Sequence, residues 1–324
     1  MPTLLKAKKR LTRSSTSRTG STRSVEWKLR KAPGLQILED PQLSQLRWLV
    51  HGFSTRPGGD SVPDQSAGAT KRSGKALNLG FTEWDTRDRV LGNRQKFLNA
   101  IGAAKMCLIL LRQIHSDIIR VVGPNGLPQG EGAPQGDALM TRERGMLLGV
   151  QTADCVPILL ADKQNRAVAA IHSGWRGTAK RIAEKTLGRM QMEFGTRPED
   201  VVASIGPGIG PCCYEVGHEV IKEFAAQFPD AREWFEGPFD TLENGDADPN
   251  WLPWLTMRPP GHAPPAPTAK LDLIAANTAI LSAAGIPQKQ ISSANLCTAC
   301  RPDLFFSYRK ERKTGRMIAA IGIK

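Results

Sequence analysis

Three side chains in this sequence have the chemistry to bind one metal ion together. They are His115, Cys155 and His172, and each lies where an apolar run gives way to a polar segment. Two imidazoles and one thiolate suit zinc, and three protein ligands leave one of its four tetrahedral positions open. Because an open position is typical of a catalytic zinc, the sequence predicts a catalytic zinc site built from three separate segments.

Neighbouring polar residues could supply proton transfer and anion binding. Asp154 directly precedes Cys155, where its carboxylate could orient a ligand histidine or act as a general base. Arg176 lies between two glycines at a predicted helix start, and Arg56 precedes a Pro-Gly-Gly turn. A guanidinium beside a helix N-terminus favours anions, so both arginines are candidate phosphate ligands. Taken singly, each of these residues also has an ordinary structural explanation.

Interleaved strands and helices must position these residues. Apolar and β-branched runs predict strands near 35–38, 48–53, 107–111, 118–122, 138–141, 147–152, 156–161, 167–172, 201–205, 291–295 and 317–323. Apolar residues at helical spacing predict helices near 86–101, 179–194, 219–228 and 271–284. Many connections are short and of the antiparallel kind, which predicts one α/β domain with mixed sheets.

The positive charge is concentrated at the N-terminus. Residues 1–31 contain ten Lys or Arg and one Glu, so they carry +9 of the net charge of +13 and leave +4 for the other 293 residues. Ser and Thr separate these charges, a composition typical of a disordered tail. We therefore predict a tail over 1–31 and a domain over 32–324 that includes an inserted loop at 237–268. Nucleic acid is not an expected partner, apart from weak contacts through the tail.

Cysteine content and hydropathy predict a cytoplasmic protein. No apolar run reaches the ~18 residues of a membrane helix, and the tail lacks the apolar core of a secretory signal. Six cysteines without an export signal favour a reducing compartment, although an Arg- and Ser-rich tail also fits an organellar transit peptide. Cys297 and Cys300 form an isolated CxxC, and the adjacent Cys212 and Cys213 make a poor second pair for a structural metal. A monomer and a homodimer both stay open.

Ten segments resemble the laccase-domain family, whose members are also called multicopper polyphenol oxidases or peptidoglycan editing factors. In chain order they are His51–Arg56, Leu77–Gly80, Gln113–His115, Gly136–Leu139, Thr152–Ile158, His172–Thr178, Ile205–Gly217, Cys297–Thr298, Phe305–Arg309 and Thr314–Met317. The match spans roughly 48–324. The resemblance implies a single-domain layered α/β sandwich with mixed sheets and flanking helices. It also implies zinc at His115, Cys155 and His172, with copper as an alternative metal.

The same resemblance implies a purine nucleoside phosphorylase with adenosine deaminase and methylthioadenosine phosphorylase activities. Its small-molecule partners would be a nucleoside and phosphate. We expect these site residues: Asp154 and Arg176 as catalytic groups, and Arg56, Asn78, Gln113, Arg176 and Arg309 as substrate or phosphate ligands. Phosphorolysis needs mainly positioning and charge stabilisation, whereas deamination would use a water whose pKa zinc lowers towards ~7. The sequence departs from the family in Ser173, in the loop 60–76, in the insert and in the tail.

Three other functions stay open at this point. A blue multicopper oxidase needs many histidines, and this chain has five, although copper bound at the three-ligand site could give weak oxidation. A hydrolase that edits cell-wall precursors would use Cys155 as nucleophile and His172 as base. An adaptor that works through the basic tail would show no turnover and would lose partner binding on deletion of residues 1–31.

Overall fold

Two large sheets dominate the computed structural model, which describes residues 27–62, 74–127, 134–237 and 268–324. The strands, in chain order, are β1 (Lys28–Ala32), β2 (Leu35–Glu39), β3 (Leu49–Ser54), β4 (Pro57–Ser61), β5 (Cys107–Ile109), β6 (Ile119–Val121), β7 (Ala138–Thr141), β8 (Met146–Thr152), β9 (Val156–Asp162), β10 (Ala167–Ser173), β11 (Val201–Ile205), β12 (Glu215–Val216), β13 (Phe235–Glu236), β14 (Ala269–Leu271), β15 (Ile291–Ser293) and β16 (Met317–Ile323). The helices are α1 (Arg87–Ile101), α2 (Trp175–Ala179), α3 (Ile182–Phe194), α4 (His218–Gln227), α5 (Leu273–Ala283) and α6 (Tyr308–Glu311).

Both large sheets are mixed. The first has the strand order β1-β2-β3-β16-β8-β5, and the second has the order β15-β11-β9-β10-β7-β6. Most neighbours are antiparallel, but β5 with β8, β6 with β7, and β11 with β15 are parallel. A smaller sheet has the order β12-β14-β13. The central strands β9 and β10 are buried along their whole length, as expected of strands covered on both faces.

The sheets pack face to face with helices outside them. Their facing sides share one buried cluster, which includes Leu38, Phe53, Val150 and Ile321 from the first sheet and Leu159, Val168, Ala170 and Val202 from the second. Helix α1 covers the outer face of the first sheet through Phe97 and Ile101. Helices α3, α4 and α5 cover the outer face of the second. The predicted layered α/β sandwich is therefore confirmed.

Capping residues account for helix α1, whose predicted bounds are confirmed. The Thr86 hydroxyl accepts a hydrogen bond from the Arg89 N–H, which satisfies one of the free amides of the first turn. Gly102 ends the helix in the left-handed conformation that glycine adopts at little cost.

The helix predicted at 179–194 is wrong at its start. Ala179 belongs to the short helix α2, and α3 begins only at Ile182. Between them Arg181 has a left-handed backbone, with φ of 62°, and its Nε donates to Glu184 Oε2 at 2.5 Å. The break arises because a non-glycine residue adopts a conformation that helical periodicity cannot reveal.

Several terminal and loop predictions change. The tail was predicted to reach residue 31, but Lys28–Ala32 forms strand β1, which pairs with β2. The rest of that tail, residues 63–73 of the loop and residues 238–267 of the predicted insert lie outside the described residues. In the parts of the chain that are described, every helix is too short or too polar to cross a membrane.

Candidate metal centre

The three predicted metal ligands converge at one end of the second sheet. Pro157 of β9 pairs with His172 of β10, so Cys155, two residues before Pro157, lies beside His172. His115 comes from the loop between β5 and β6, and its Nε2 lies 3.8 Å from Cys155 Sγ. One ligand atom from each residue lies within 4.8 Å of the other two. A single ion with metal–ligand bonds of about 2.0–2.3 Å can bridge such a group.

Unusual backbone conformations place the ligand loops. His115 has φ of 57° and Asp154 has φ of 97°, values that residues with a Cβ rarely adopt and that persist where the surrounding structure holds them. Gly174, directly after β10, is required for a different reason. A Cβ at this position would lie 2.8 Å from Cys155 Sγ and 3.2 Å from His115 Cδ2. Only glycine lets both ligand side chains approach this closely.

A buried carboxylate orients His172. Asp137 Oδ1 lies 2.9 Å from His172 Nδ1, and Asp137 Oδ2 accepts hydrogen bonds of 2.6 Å from both the N–H and the hydroxyl of Ser116. The His115 N–H also donates to Oδ1 at 3.1 Å. Because Nδ1 is engaged, Nε2 is the nitrogen of His172 available to a metal. The sequence offered Asp154 for this orienting role, and the structure gives the role to Asp137 instead.

Electrostatics in the cluster favour the metal-binding form of the cysteine. Burial by itself would raise the pKa of Cys155, but the adjacent His172 and His115 lower it to about 6. Burial would lower the pKa of His172, but Cys155 and Asp137 raise it to about 9. Burial would raise the pKa of Asp137, yet its hydrogen bonds with His172 and Ser116 hold that pKa well below its usual range. A thiolate and two imidazoles, one backed by a carboxylate, fit a zinc ion, whose charge would take the place of the imidazolium charge.

A cavity of about 760 Å³ opens onto the three ligands. Its volume lies within the range of about 300–1,000 Å³ that is usual for small-molecule sites. Besides the ligands, its polar and aromatic lining consists of Arg112, Gln113, Gln151, Asp154, Tyr214, Tyr308, Arg309, Arg312 and Arg316. The cavity therefore has room for a substrate in contact with the candidate metal centre.

Four arginines make this cavity cationic. They are Arg112, Arg309, Arg312 and Arg316, and among the described residues no carboxylate forms a salt bridge with any of them. Burial lowers the pKa of Arg316, which means that its charge is poorly solvated and would be stabilised by an anion. Uncompensated guanidinium groups in a cleft are well suited to a phosphate group, which they bind through paired hydrogen bonds.

Three of the predicted site residues beyond the metal ligands lie in the cavity. Asp154 accepts hydrogen bonds of 2.6 Å from the Thr298 hydroxyl and from the backbone N–H of Arg309. The Arg309 guanidinium lies 5.1 Å from the centre of the Tyr214 ring. Gln113 is fixed by two hydrogen bonds of 2.7 Å between its side-chain amide and the backbone of Gln151. The structure thus brings Gln113, Asp154 and Arg309 to the same cavity as the metal ligands.

Two predicted phosphate ligands lie outside the cavity lining. Arg56 forms a largely buried ion pair with Glu311 and lies 5.0 Å from the centre of the Phe306 ring. Arg176 is exposed and stacks on Trp175, with its guanidinium carbon 4.2 Å from the ring centre. Neither arginine is among the residues that line the cavity, and the phosphate role of both stays a prediction.

Asn78, a predicted substrate ligand, is also outside the cavity, but it contacts the backbone of a residue that lines it. It is fully buried, and its side-chain oxygen accepts hydrogen bonds from the backbone N–H groups of Gly80 at 3.1 Å and of Arg316 at 2.9 Å. Its amide nitrogen donates to Asp85 Oδ2 at 2.8 Å. Asn78 therefore fixes the backbone of a residue that lines the cavity.

Several residues of the candidate site were not predicted from the sequence although they lie in the family-like segments. Asp137 was within Gly136–Leu139, and Arg316 was within Thr314–Met317. Tyr214 directly follows the adjacent cysteines. The available signal was the position of these polar residues inside matching segments, but nothing local distinguished them from solvent-exposed residues.

The fold and the site together define an α/β sandwich protein with a candidate His/Cys metal centre beneath a cationic cavity. The chain belongs to the multi-copper polyphenol oxidoreductase laccase family, whose model matches residues 50–324.

Relatives in this family have names that refer to nucleoside chemistry. The chain is 34% identical over 281 residues to the purine nucleoside phosphorylase YlmD of Geobacillus stearothermophilus, a match that covers 84% of this chain and 89% of that protein. It is 34% identical over 266 residues to the adenosine deaminase RL5 of an unknown prokaryotic organism, covering 81% of this chain and 88% of that protein. The crystal structure of the hypothetical protein YfiH of Bacillus licheniformis superposes with a TM-score of 0.72 at 29% identity, covering 92% of this chain and 99% of that one.

Proposed function

We propose that this chain is a cytoplasmic, zinc-dependent purine nucleoside phosphorylase. The observation that supports this most is the joint placement of His115, Cys155 and His172 at a cavity lined by four arginines. The reaction would join phosphate to the anomeric carbon of a nucleoside such as adenosine or inosine and release the free base and ribose 1-phosphate. Methylthioadenosine phosphorolysis and adenosine deamination would be side activities of the same pocket. The names of the relatives support this reaction class.

The arginines would bind the attacking phosphate. Arg309 is already held in place, because its Nη1 donates to the Glu215 carbonyl at 2.9 Å and its guanidinium stacks on Tyr214. The Arg316 guanidinium is fixed by hydrogen bonds to the carbonyls of Thr314 and Gly315. Preorganised guanidinium groups lower the cost of binding phosphate and stabilise charge that develops as the glycosidic bond breaks.

The remaining lining residues would hold the nucleoside. The ring faces of Tyr214 and Tyr308 provide aromatic surface for the purine, since both residues line the cavity. Zinc in the centre would supply Lewis acidity, which polarises substrate groups and lowers the pKa of water. Asp154 is the carboxylate of the cavity lining, and we assign it the transfer of a proton from the attacking hydrogen phosphate ion to the leaving base. The hydrogen bonds from Thr298 and from Arg309 would keep its carboxylate in place for that role.

A Cys–His hydrolase is the second candidate, and one observation favours it. Cys155, His172 and Asp137 form a hydrogen-bonded series in which the pKa of the thiol is lowered to about 6. The same order of nucleophile, base and carboxylate occurs in covalent hydrolases. Metal content separates the two candidates, because a cysteine that is a full zinc ligand cannot also be a free nucleophile.

The ligand set argues against blue-copper oxidation of phenols, despite the family name. That chemistry requires a trinuclear centre with many histidines, and the candidate centre contains two. Among the described residues, His51 is engaged elsewhere, where its Nε2 accepts a hydrogen bond from the Asp40 N–H at 3.0 Å.

Product analysis tests the proposal. Zinc-quantified protein is incubated with adenosine, with and without phosphate, and bases and nucleosides are separated by chromatography. Adenine that forms only with phosphate supports phosphorolysis, and inosine that forms without phosphate supports deamination. Neither product, from protein with a full zinc centre, would refute the proposal.

Arginine variants test where phosphate binds. We expect Arg312→Ala to raise the KM for phosphate at least about tenfold, since a charge-assisted hydrogen bond contributes roughly 1.5–3 kcal/mol. Arg176→Ala is the matched control and should leave this KM unchanged, because Arg176 stacks on Trp175 outside the cavity. The reverse result would move the phosphate site away from the cavity.

A further inference from the structure

Four cysteines outside the candidate metal centre meet at a second point. Cys212 and Cys213 lie between β11 and β12, whereas Cys297 and Cys300 lie between β15 and α6. All four sulfur atoms lie within 4.8 Å of one another, and Cys300 Sγ is 3.4 Å from both Cys212 Sγ and Cys213 Sγ. The sequence predicted that the adjacent pair would be a poor partner for the CxxC. The structure overturns that prediction, because the fold brings the two pairs together.

Backbone N–H groups around the cluster stabilise a thiolate at Cys297. Cys297 Sγ accepts a hydrogen bond of 3.3 Å from the Gly210 N–H and another from the backbone N–H of Cys300. Such N–H donors partly neutralise a sulfur that carries negative charge, as they do for metal ligands in general. A Cβ at Gly210 would lie 3.3 Å from Cys297 Cβ and 3.5 Å from Cys212 Sγ. Glycine at this position leaves room for the sulfurs to gather.

We propose that Cys212, Cys213, Cys297 and Cys300 bind a second metal ion, a tetrahedral zinc of the structural kind. Zinc–sulfur bonds of about 2.3 Å set the sulfurs of a tetrathiolate site about 3.8 Å apart. The observed sulfurs are close to that arrangement before any ion is added. Four protein ligands leave no open position, so this ion would have no catalytic role.

A disulfide accounts for this geometry less well than a metal. Both 3.4 Å contacts involve Cys300, which can form a disulfide with only one partner. Either bond would leave Cys297 and one of the adjacent cysteines outside it, although Cys297 is the sulfur that receives two backbone N–H donors. One ion uses all four sulfurs at once.

The ion would join two loops that form one wall of the cavity. The loops already touch, since the Thr298 N–H donates to the Gly208 carbonyl at 3.0 Å. Tyr214, directly after Cys213, lines the cavity, and Thr298, directly after Cys297, donates to Asp154. The second zinc would therefore be a positioning element that fixes Tyr214 and the Asp154 carboxylate relative to each other.

Metal counting and X-ray absorption spectroscopy on full-length protein from zinc-supplemented cells test this site. We expect two zinc ions per chain in the unaltered protein and one in Cys155→Ser. That one remaining zinc should have only sulfur ligands, at about 2.3 Å. Cys300→Ser should also retain one zinc, with mixed nitrogen and sulfur ligands. Cys107→Ser is the matched control, because Cys107 is an exposed residue of β5 that belongs to neither cluster, and it should keep two zinc ions.

Several results would overturn the second site. One is a Cys155→Ser protein without zinc, or with nitrogen or oxygen ligands on its zinc. Iron or an iron–sulfur cluster in that variant would refute the assignment of zinc. A disulfide-linked peptide joining Cys300 to Cys212 or Cys213 after alkylation without reductant would also refute the site. The Cys155→Ser measurement leaves the four cysteines intact, so the test stands even if Cys300→Ser fails to fold. None of these readouts depends on nucleoside turnover.

Discussion

Replacing Asp137 with asparagine tests how the metal centre is organised. The carboxylate is fully buried and accepts hydrogen bonds from His172 Nδ1, from the N–H and hydroxyl of Ser116, and from the backbone of His115. An asparagine of the same size has one acceptor oxygen, and its NH₂ group would face N–H donors. The change therefore removes the negative charge behind His172 without opening a cavity.

The expected magnitude follows from these contacts. Loss of a carboxylate behind a ligand histidine typically weakens metal binding about 10–100-fold, and we expect that loss for zinc in Asp137→Asn. Losing charge-assisted hydrogen bonds should also lower the free energy of unfolding by about 2–3 kcal/mol. Because the pKa of Asp137 is lowered in the folded protein, the difference in unfolding free energy between the two proteins should have its full size at neutral pH. It should shrink as pH falls below about 4, where the carboxylate of the unfolded chain is protonated.

The assay is competition for zinc against a chromophoric chelator, followed by urea unfolding of the chelated protein. Asp117→Asn is the matched control: Asp117 is partly exposed and pairs with Lys185 at 2.5 Å. That substitution should change the free energy of unfolding by no more than about 1 kcal/mol and leave zinc affinity unchanged. An Asp137→Asn protein that binds zinc as tightly as the unaltered chain would refute the orienting role of Asp137.

Three further perturbations follow from the same contacts. Gly174→Ala should reduce zinc affinity at least about tenfold by crowding Cys155 Sγ, and the overpacking should lower the free energy of unfolding by about 1–3 kcal/mol. Gly188→Ala is the control, because a Cβ there would make only an ordinary contact of 4.0 Å with Gln191 Oε1, and it should change neither quantity. Chelator competition and urea unfolding distinguish the two variants. Arg56→Ala should lower the free energy of unfolding by about 3 kcal/mol, because it leaves the buried carboxylate of Glu311 without its partner, while the KM for phosphate stays constant. After chelation, alkylation of Cys155 followed by peptide mass spectrometry should show a half-maximal rate near pH 6, since the thiolate persists above its pKa; a midpoint near the ~8.5 of an ordinary thiol would contradict this.

The sequence was sufficient to predict elements whose bounds are set by residues close together in the chain. Helix α1 was predicted correctly because a capping threonine and a terminal glycine bound its apolar stripe. The grouping of His115, Cys155 and His172 was also predictable, since each lies at the end of an apolar run and loops at strand ends carry functional groups. The break before α3 was not predictable, because nothing in the composition around Arg181 indicates that this residue has a left-handed backbone.

Partners far apart in sequence explain what spacing could not predict at the site. The ion pair of Arg56, a predicted phosphate ligand, is one example, because its partner Glu311 is 255 residues away. Asp154 seemed the natural partner of a ligand histidine because it adjoins Cys155, yet the carboxylate that reaches His172 is Asp137, directly before β7. Side chains that meet only through the sheet order cannot be paired from spacing alone.

Phosphorus-31 NMR of a phosphate-containing reaction with inosine tests the central claim most directly. The zinc-loaded chain is expected to convert inorganic phosphate into a ribose 1-phosphate resonance at the rate at which hypoxanthine appears. Cys155→Ser, which lacks one ligand of the catalytic centre, is expected to show neither product. Zinc-loaded protein that forms no phosphate ester, or a Cys155→Ser variant that forms it at the unaltered rate, would contradict a phosphorylase built on His115, Cys155 and His172.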